Sequence, residues 1–166
     1  MAQKKSRSVS LTVSQAAPTP AAEGEVWYAE GLRFNCSQCG NCCSGGPGYV
    51  WISTYDMDRI AAYLKMDFDT FTRTYVRRIG NRFSLLEKFN YDCTFLKREN
   101  GKSMCMVYPV RPTQCRTWPF WDENLKSPQH WENSAAKCPG MCDADGKKFE
   151  LAEIERRRSD TASPHE

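Results

Sequence analysis

Four of the eight residues in Cys36-Ser37-Gln38-Cys39-Gly40-Asn41-Cys42-Cys43 are cysteine, and this density constrains the chain more than any other feature. Thiols placed two residues apart can turn several sulfurs toward one centre from a single loop. Nearby glycines permit the positive φ values that such a wrap needs and let backbone N–H groups approach the sulfurs. A bound metal favours thiolate over thiol, so binding is converted into folding free energy. A lone C-x-x-C is equally compatible with a redox pair, and a lone cysteine with a small buried hydrophobe. Four in eight points to metal.

Which metal is open at this level. The Cys36, Cys39, Cys42 spacing is that of the first three ligands of a bacterial ferredoxin run, whose later cysteine precedes proline, as Cys138 precedes Pro139 here. Cys43 fits no ferredoxin pattern, and Cys138 is remote. Zinc takes four thiolates at many spacings. The paired C-x-x-C motifs of a zinc ribbon are absent, and only His130 and His165 are available, which excludes a Cys₂His₂ finger. His130 is expected to be a packed or exposed strand residue.

Nine cysteines cannot all pair within one chain, and at about 5% they fall below the roughly 8–10% of a secreted disulfide scaffold. The basic start of the chain is not followed by the apolar run of a secretion signal, and no stretch approaches the ~18 apolar residues that span a bilayer. These features lead us to expect a cytoplasmic protein in a reducing compartment, with no membrane association, an organelle transit peptide over the acid-poor, Ser-, Thr- and Ala-rich residues 1–25 being the alternative. Leu, Ile, Val and Phe make up 27 of 166 residues, about 16%, under the roughly 20% at which aliphatic burial suffices for a core. The cysteines are the candidates to supply the rest.

The composition changes at Val26-Trp27-Tyr28. Residues 1–25 read as a disordered arm, 26–158 as one cysteine-cluster domain and 159–166 as a frayed tail. The expected fold class is a small irregular α+β domain, with two core helices, a β-hairpin and loops wrapped around a metal centre. Tyr49 to Ile52 is a strand candidate. Ser53 followed by Asp56 starts one helix through Met57, Ile60, Ala61 and Leu64. Asp67 caps a second, with Phe68, Phe71, Tyr75, Val76 and Ile79 on one face up to Gly80. Residues 82–97 and 102–108 read as strands joined at Asn100-Gly101, the strongest short hairpin signal. A two-residue loop pairs Leu96 with Cys105 and puts Cys93 on the opposite face from Cys105, whereas a three-residue loop puts both on one face. A short helix is expected near Arg111-Pro112, and a last one over roughly Leu151 to Arg158.

The second informative stretch runs from Cys105 through Tyr108-Pro109-Val110-Arg111-Pro112 to Cys115-Arg116 and Trp118-Pro119-Phe120. Four thiolates on Zn²⁺, or on a [4Fe–4S]²⁺ cluster, leave a net charge of about −2, which is costly to bury without facing positive charge or N–H donors. Arg111 and Arg116 flank Cys115 and are the cofactor-binding candidates.

These residues together resemble the YkgJ-type cysteine-cluster family, a zinc- or iron-chelating domain with a C-x-x-C-x-x-C-C signature. The likeness runs through Cys36, Cys39, Gly40, Cys42 and Cys43, then Cys93-Thr94-Phe95-Leu96, Cys105, Tyr108, Arg111-Pro112, Cys115-Arg116 and Pro119-Phe120 to Cys138. The resemblance implies that eight cysteines (36, 39, 42, 43, 93, 105, 115 and 138) form the chelating set for zinc or iron, with a [4Fe–4S] cluster as one form. Cys142 lies outside the pattern, as a spare thiol or a substitute ligand. Adjacent Cys42 and Cys43 are expected to point apart, which favours two centres or one cluster gripped from two sides. The family includes a flagellin lysine N-methylase, so an Fe–S electron-transfer protein or a lysine methyltransferase-like enzyme are the alternatives to plain chelation. No G-x-G-x-x-G follows a strand. Net charge +3 with interspersed signs gives no nucleic-acid stripe. The expected partner is therefore a metal ion or cluster, with any protein partner unidentified.

Overall fold

The computed structural model describes residues 26–141 and 143–162. The expected arm over 1–25, Cys142 and the last four residues lie outside them. Among the described residues, six short strands form three two-stranded antiparallel sheets, interleaved with helices, which makes the fold α+β. β1 (Leu32–Phe34) pairs with β6 (Lys147–Phe149), β2 (Val76–Ile79) with β3 (Arg82–Leu85), and β4 (Leu96–Glu99) with β5 (Lys102–Cys105). No helix among the described residues is long and apolar enough to cross a membrane.

α1 (Thr54–Leu64) begins where expected, because the Ser53 hydroxyl accepts a hydrogen bond from the Asp56 N–H and satisfies a donor of the first turn. α2 (Phe68–Tyr75) is capped the same way, Asp67 accepting from the Thr70 N–H. It ends earlier than its apolar periodicity suggests. Val76 and Ile79 belong to a strand, since β-branched residues pack well in a ladder and a tight turn at Gly80-Asn81 returns the chain onto β3. The strand expected over Tyr49 to Ile52 is reduced to one bridge between Trp51 and Ser84.

The expected long strand 82–97 is two pieces. After β3 the chain bridges Glu87 to Cys93 around a turn whose Asp92 carboxylate accepts from the guanidinium of Arg98. β4 starts only at Leu96. The Asn100-Gly101 turn, with both residues at positive φ, sets the two-residue register and pairs Leu96 with Cys105.

α3 (Thr113–Thr117) follows Pro112. α4 (Asp122–Leu125) and α5 (Pro128–Ala135) have no counterpart in the sequence reading, and His130 sits exposed on α5 rather than in a strand. α6 (Leu151–Ala162) runs beyond Arg158, held to α3 by Arg157 donating to the Arg116 carbonyl (2.8 Å) and Thr161 to the Thr117 hydroxyl (2.5 Å).

Two apolar clusters result. One gathers Ile52, Met57, Ile60, Phe71, Leu85, Phe95 and Val107 from α1, α2 and the neighbouring strands. The other gathers Tyr28, Phe120, Leu125, Trp131, Phe149 and Ile154. Neither is large, as the low aliphatic content requires. A cavity of about 80 Å³ is walled by both, with Leu85, Phe95 and Val107 on one side and Phe34 and Trp118 on the other.

Candidate metal centre

All eight cysteines of the family-like pattern line that one cavity. They arrive from five chain segments. Cys36, Cys39, Cys42 and Cys43 come from a loop that ends in a single 3₁₀ turn over Asn41–Cys43. Cys93 comes from the turn before β4, Cys105 from the end of β5, Cys115 from α3, and Cys138 from the turn after α5.

The loop is tied on every side. Gly40 stands at φ +80, and a Cβ there would lie 2.7 Å from the Ser103 side chain on β5, so only glycine lets the loop approach the hairpin. Gly140 allows a similar approach, since its Cβ would lie 1.9 Å from the Asn35 carbonyl oxygen. The Asn35 N–H donates to the Gly140 carbonyl at 3.0 Å and the Asn41 amide to the Lys137 carbonyl at 2.8 Å. On the other side, the Cys93 N–H donates to the Cys43 carbonyl at 2.8 Å.

Two expectations are corrected here. The hairpin has the two-residue register, yet Cys93 and Cys105 face the same cavity. The period-two argument fails because Cys93 is not in the strand: the Leu96 N–H donates back to the Cys93 carbonyl at 2.9 Å, a turn that re-aims the side chain. Cys42 and Cys43 do not point apart either, because the tight turn brings their sulfurs to 3.8 Å, one thiol donating to the other. Among the described residues, no three His, Cys, Asp or Glu side chains close on one point tightly enough to hold an ion. The cavity and this close pair are what the geometry provides.

Burial sets the protonation state of most of these sulfurs. Desolvation pushes the Cys93, Cys105, Cys115 and Cys138 thiols up. Cys115 retains some accessible surface, but this is cavity wall. Within the close pair, the hydrogen bond from its neighbour lowers Cys42 to about 7 and pushes Cys43 up. The shared hydrogen bond thus favours the thiolate on Cys42 and the proton on Cys43.

The surroundings are built to oppose the desolvation. The backbone N–H two residues after Cys93, Cys105 and Cys138, on Phe95, Val107 and Gly140, favours each thiolate in turn. The Arg111 guanidinium favours the thiolates of Cys42, Cys105 and Cys115. It is held by its Nε donating to the Tyr108 carbonyl at 3.0 Å and by stacking 3.6 Å over the Tyr108 ring. The buried Trp118 Nε1–H lies beside Cys138 and favours its thiolate, without forming a hydrogen bond. A buried N–H without an acceptor is costly, and an anionic sulfur centre in this cavity would satisfy it. The donor set, soft thiolates with N–H groups and one cation behind them, fits zinc or iron.

Arg116 stands elsewhere. It donates to the Arg111 carbonyl and to the Thr113 hydroxyl, both at 2.9 Å, and lies 3.8 Å from the buried Asp56 carboxylate. It is not among the residues lining the cavity. Trp118 carries no assigned role at the level of sequence. Its place three residues after Cys115, bounding a short helix, is the signal that could have drawn attention to it.

Residues 35–143 match the model of a family carrying the CxxCxxCC signature and described as "Putative zinc- or iron-chelating domain", and the chain belongs to this family. An uncharacterized protein of Methanocaldococcus jannaschii is 33% identical over 93 residues, 56% of this chain and 48% of its own length. The chain therefore spans about half the length of that curated relative. No solved structure gives a significant match.

Proposed function

We propose that, as a member of this zinc- or iron-chelating family, the protein is a metal–thiolate protein whose eight cavity cysteines bind zinc or iron. The observation that carries this reading is the convergence of eight thiols from five segments on one cavity. Eight exceeds the four that one tetrahedral ion or one cluster takes, so the capacity is more than one centre. By the same measure of volume, about 10–15 Å³ admits one water, so a cavity of about 80 Å³ has room for several atoms. The 3.8 Å spacing of the Cys42 and Cys43 sulfurs supports two sulfurs on one metal atom. That suits a single ion, or an iron of a [2Fe–2S] cluster, better than the one cysteine per iron of a [4Fe–4S] centre.

Bound metal supplies positive charge that stabilises the thiolates, and the chain's own groups do the rest. Arg111 and the N–H groups of Phe95, Val107 and Gly140 offset the net negative charge of the centre. The two apolar clusters wall it on two sides, with Cys42 exposed. Residues 26–158 form the chelating domain, and a reducing compartment such as the cytoplasm keeps its thiols free.

Anaerobic purification, elemental analysis and an absorption spectrum test the reading. We expect zinc or iron in stoichiometric amount, colourless for zinc and with a visible sulfur-to-iron band for iron. Protein that folds without metal and takes up neither metal when offered would overturn it.

A further inference from the structure

We infer that the outer face of the β2–β3 ribbon, with Tyr49 and Trp51 beside it, is a docking site for an acidic, extended peptide segment of a partner protein. The inference is independent of the chelating function proposed above and concerns a different surface.

The ribbon is basic without compensation. From Thr70 to Leu86 the chain carries Arg73, Arg77, Arg78 and Arg82 and no Asp or Glu. Arg73, Arg78 and Arg82 are exposed. Among the described residues, the one ion pair of this stretch joins Arg77 to Glu87, at 3.1 Å. By contrast, Arg156, Arg157 and Arg158 on α6 all pair with carboxylates.

Two of these arginines are fixed by rings. The Tyr49 and Trp51 rings stack at 4.8 Å, the Arg77 guanidinium lies 5.1 Å from the Tyr49 centroid, and that of Arg82 lies 4.0 Å from the Trp51 centroid. Trp51 bridges Ser84 in the antiparallel sense, so Arg82 lies to one side of its ring and Tyr49 to the other. Gln114 on α3 holds this ladder, its Oε1 accepting from the Trp51 N–H at 2.6 Å and its amide donating to the Tyr49 carbonyl at 3.3 Å. A guanidinium stacked on a ring keeps its N–H edge free, and that planar fork matches a carboxylate. The Arg82 guanidinium makes no hydrogen bond or ion pair among the described residues, so its whole fork is available.

Charge complementarity calls for an anionic occupant. Single-stranded nucleic acid binds by stacking bases on open aromatic faces, whereas here the faces are covered by the two guanidiniums and by each other. Carboxylates need only the guanidinium edges. Among the described residues β2 pairs with β3 alone, and an open strand edge accepts an extended segment. Tyr, Trp and Arg are also the residue types that dominate protein interfaces.

Fluorescence anisotropy tests this on the full chain, with a labelled oligoglutamate peptide as probe and labelled oligoglutamine and oligothymidylate as controls. Oligoglutamate should bind, more weakly as salt rises, and both controls should bind more weakly than it does. Arg82→Gln should weaken oligoglutamate binding about tenfold and Arg156→Gln less than about twofold, with metal content unchanged in both. Arg82→Lys keeps the charge but loses the planar fork, and should recover only part of the loss. No binding of oligoglutamate, equal binding of oligoglutamine, tighter binding of oligothymidylate, or equal losses for Arg82→Gln and Arg156→Gln would each overturn the proposal. None of these outcomes bears on chelation, which metal analysis decides separately.

Discussion

The sulfurs of Cys42 and Cys43, neighbours in sequence, stand 3.8 Å apart with one thiol donating to the other. Two thiolates on one tetrahedral ion, at a metal–sulfur distance of about 2.3 Å, are separated by about 3.8 Å along the tetrahedron edge. The pair is thus spaced to grip a single metal atom. For both sulfurs to bind it, the proton of this hydrogen bond must leave.

Replacement of either member should therefore weaken binding strongly. For Cys43→Ser we expect metal affinity to fall by about 100-fold or more, above the roughly 10–100-fold typical of losing a group behind the ligands. Competition with a chromophoric chelator measures it. An affinity unchanged within threefold would show that the pair is not a chelating unit.

Metal removal should loosen the whole domain, because the cavity separates two apolar clusters that are each small. Metal present at about 100 times its Kd stabilises by about 2.7 kcal/mol, worth roughly 5–10 °C in Tm for a chain of this size. Calorimetry with and without a chelator reads the shift. Identical melting curves would mean that the cores are stable without it.

Trp118→Phe keeps a ring against Cys138 and deletes the indole N–H. The expected result is metal retention weakened by about tenfold with little change in Tm, since the lost group acts on the thiolate rather than on packing. Arg111→Gln should act in the same direction on Cys42, Cys105 and Cys115. Equal losses of stability and metal would instead mark Trp118 as a packing residue.

Asp56 is the buried carboxylate between α1 and α3, accepting from the Ser53 hydroxyl (3.1 Å), the Thr113 N–H (3.3 Å) and the Thr113 hydroxyl (3.5 Å). Asp56→Ala strands these donors and should cost about 2–4 kcal/mol. The loss should appear in urea unfolding of metal-loaded protein, with metal stoichiometry unchanged. A cost below about 0.5 kcal/mol would contradict the role given to this contact.

Tyr28 introduces a pH dependence. Burial and its hydrogen bond to Glu155 (2.6 Å) raise its pKa above the ordinary value of 10.0. A raised folded value means that the unfolded chain loses its proton first. This contribution to stability is full below pH 10 and is lost as pH rises toward the folded value. Tyr28→Phe should flatten that alkaline limb in a series of denaturant midpoints. A variant as steep as the wild type would exclude Tyr28 as its source.

Much of the local structure could be read from residue types. Ser53 and Asp67 start α1 and α2 because their side chains satisfy first-turn donors, a contact within four residues. Asn100-Gly101 sets its hairpin register for an equally local reason. Expectation and structure part where local preference meets a distant partner. Val76 and Ile79 fit the apolar face of α2 but pair with Leu85 and Arg82. β1 and β6 lie 113 or more positions apart and carry no signal in either strand alone.

The cysteine spacing by itself pointed to sulfur chemistry, since four thiols in eight positions of an aliphatic-poor sequence are poorly explained as packing residues alone. Only the tertiary structure decided which thiols meet. A turn, not a strand, aims Cys93 at Cys105, and two hydrogen bonds thrown across about a hundred residues bring Cys36 and Cys39 to Cys138. The physical reason is that a side chain's direction depends on the backbone torsions next to it. Those torsions are set by contacts with chain that is remote in sequence.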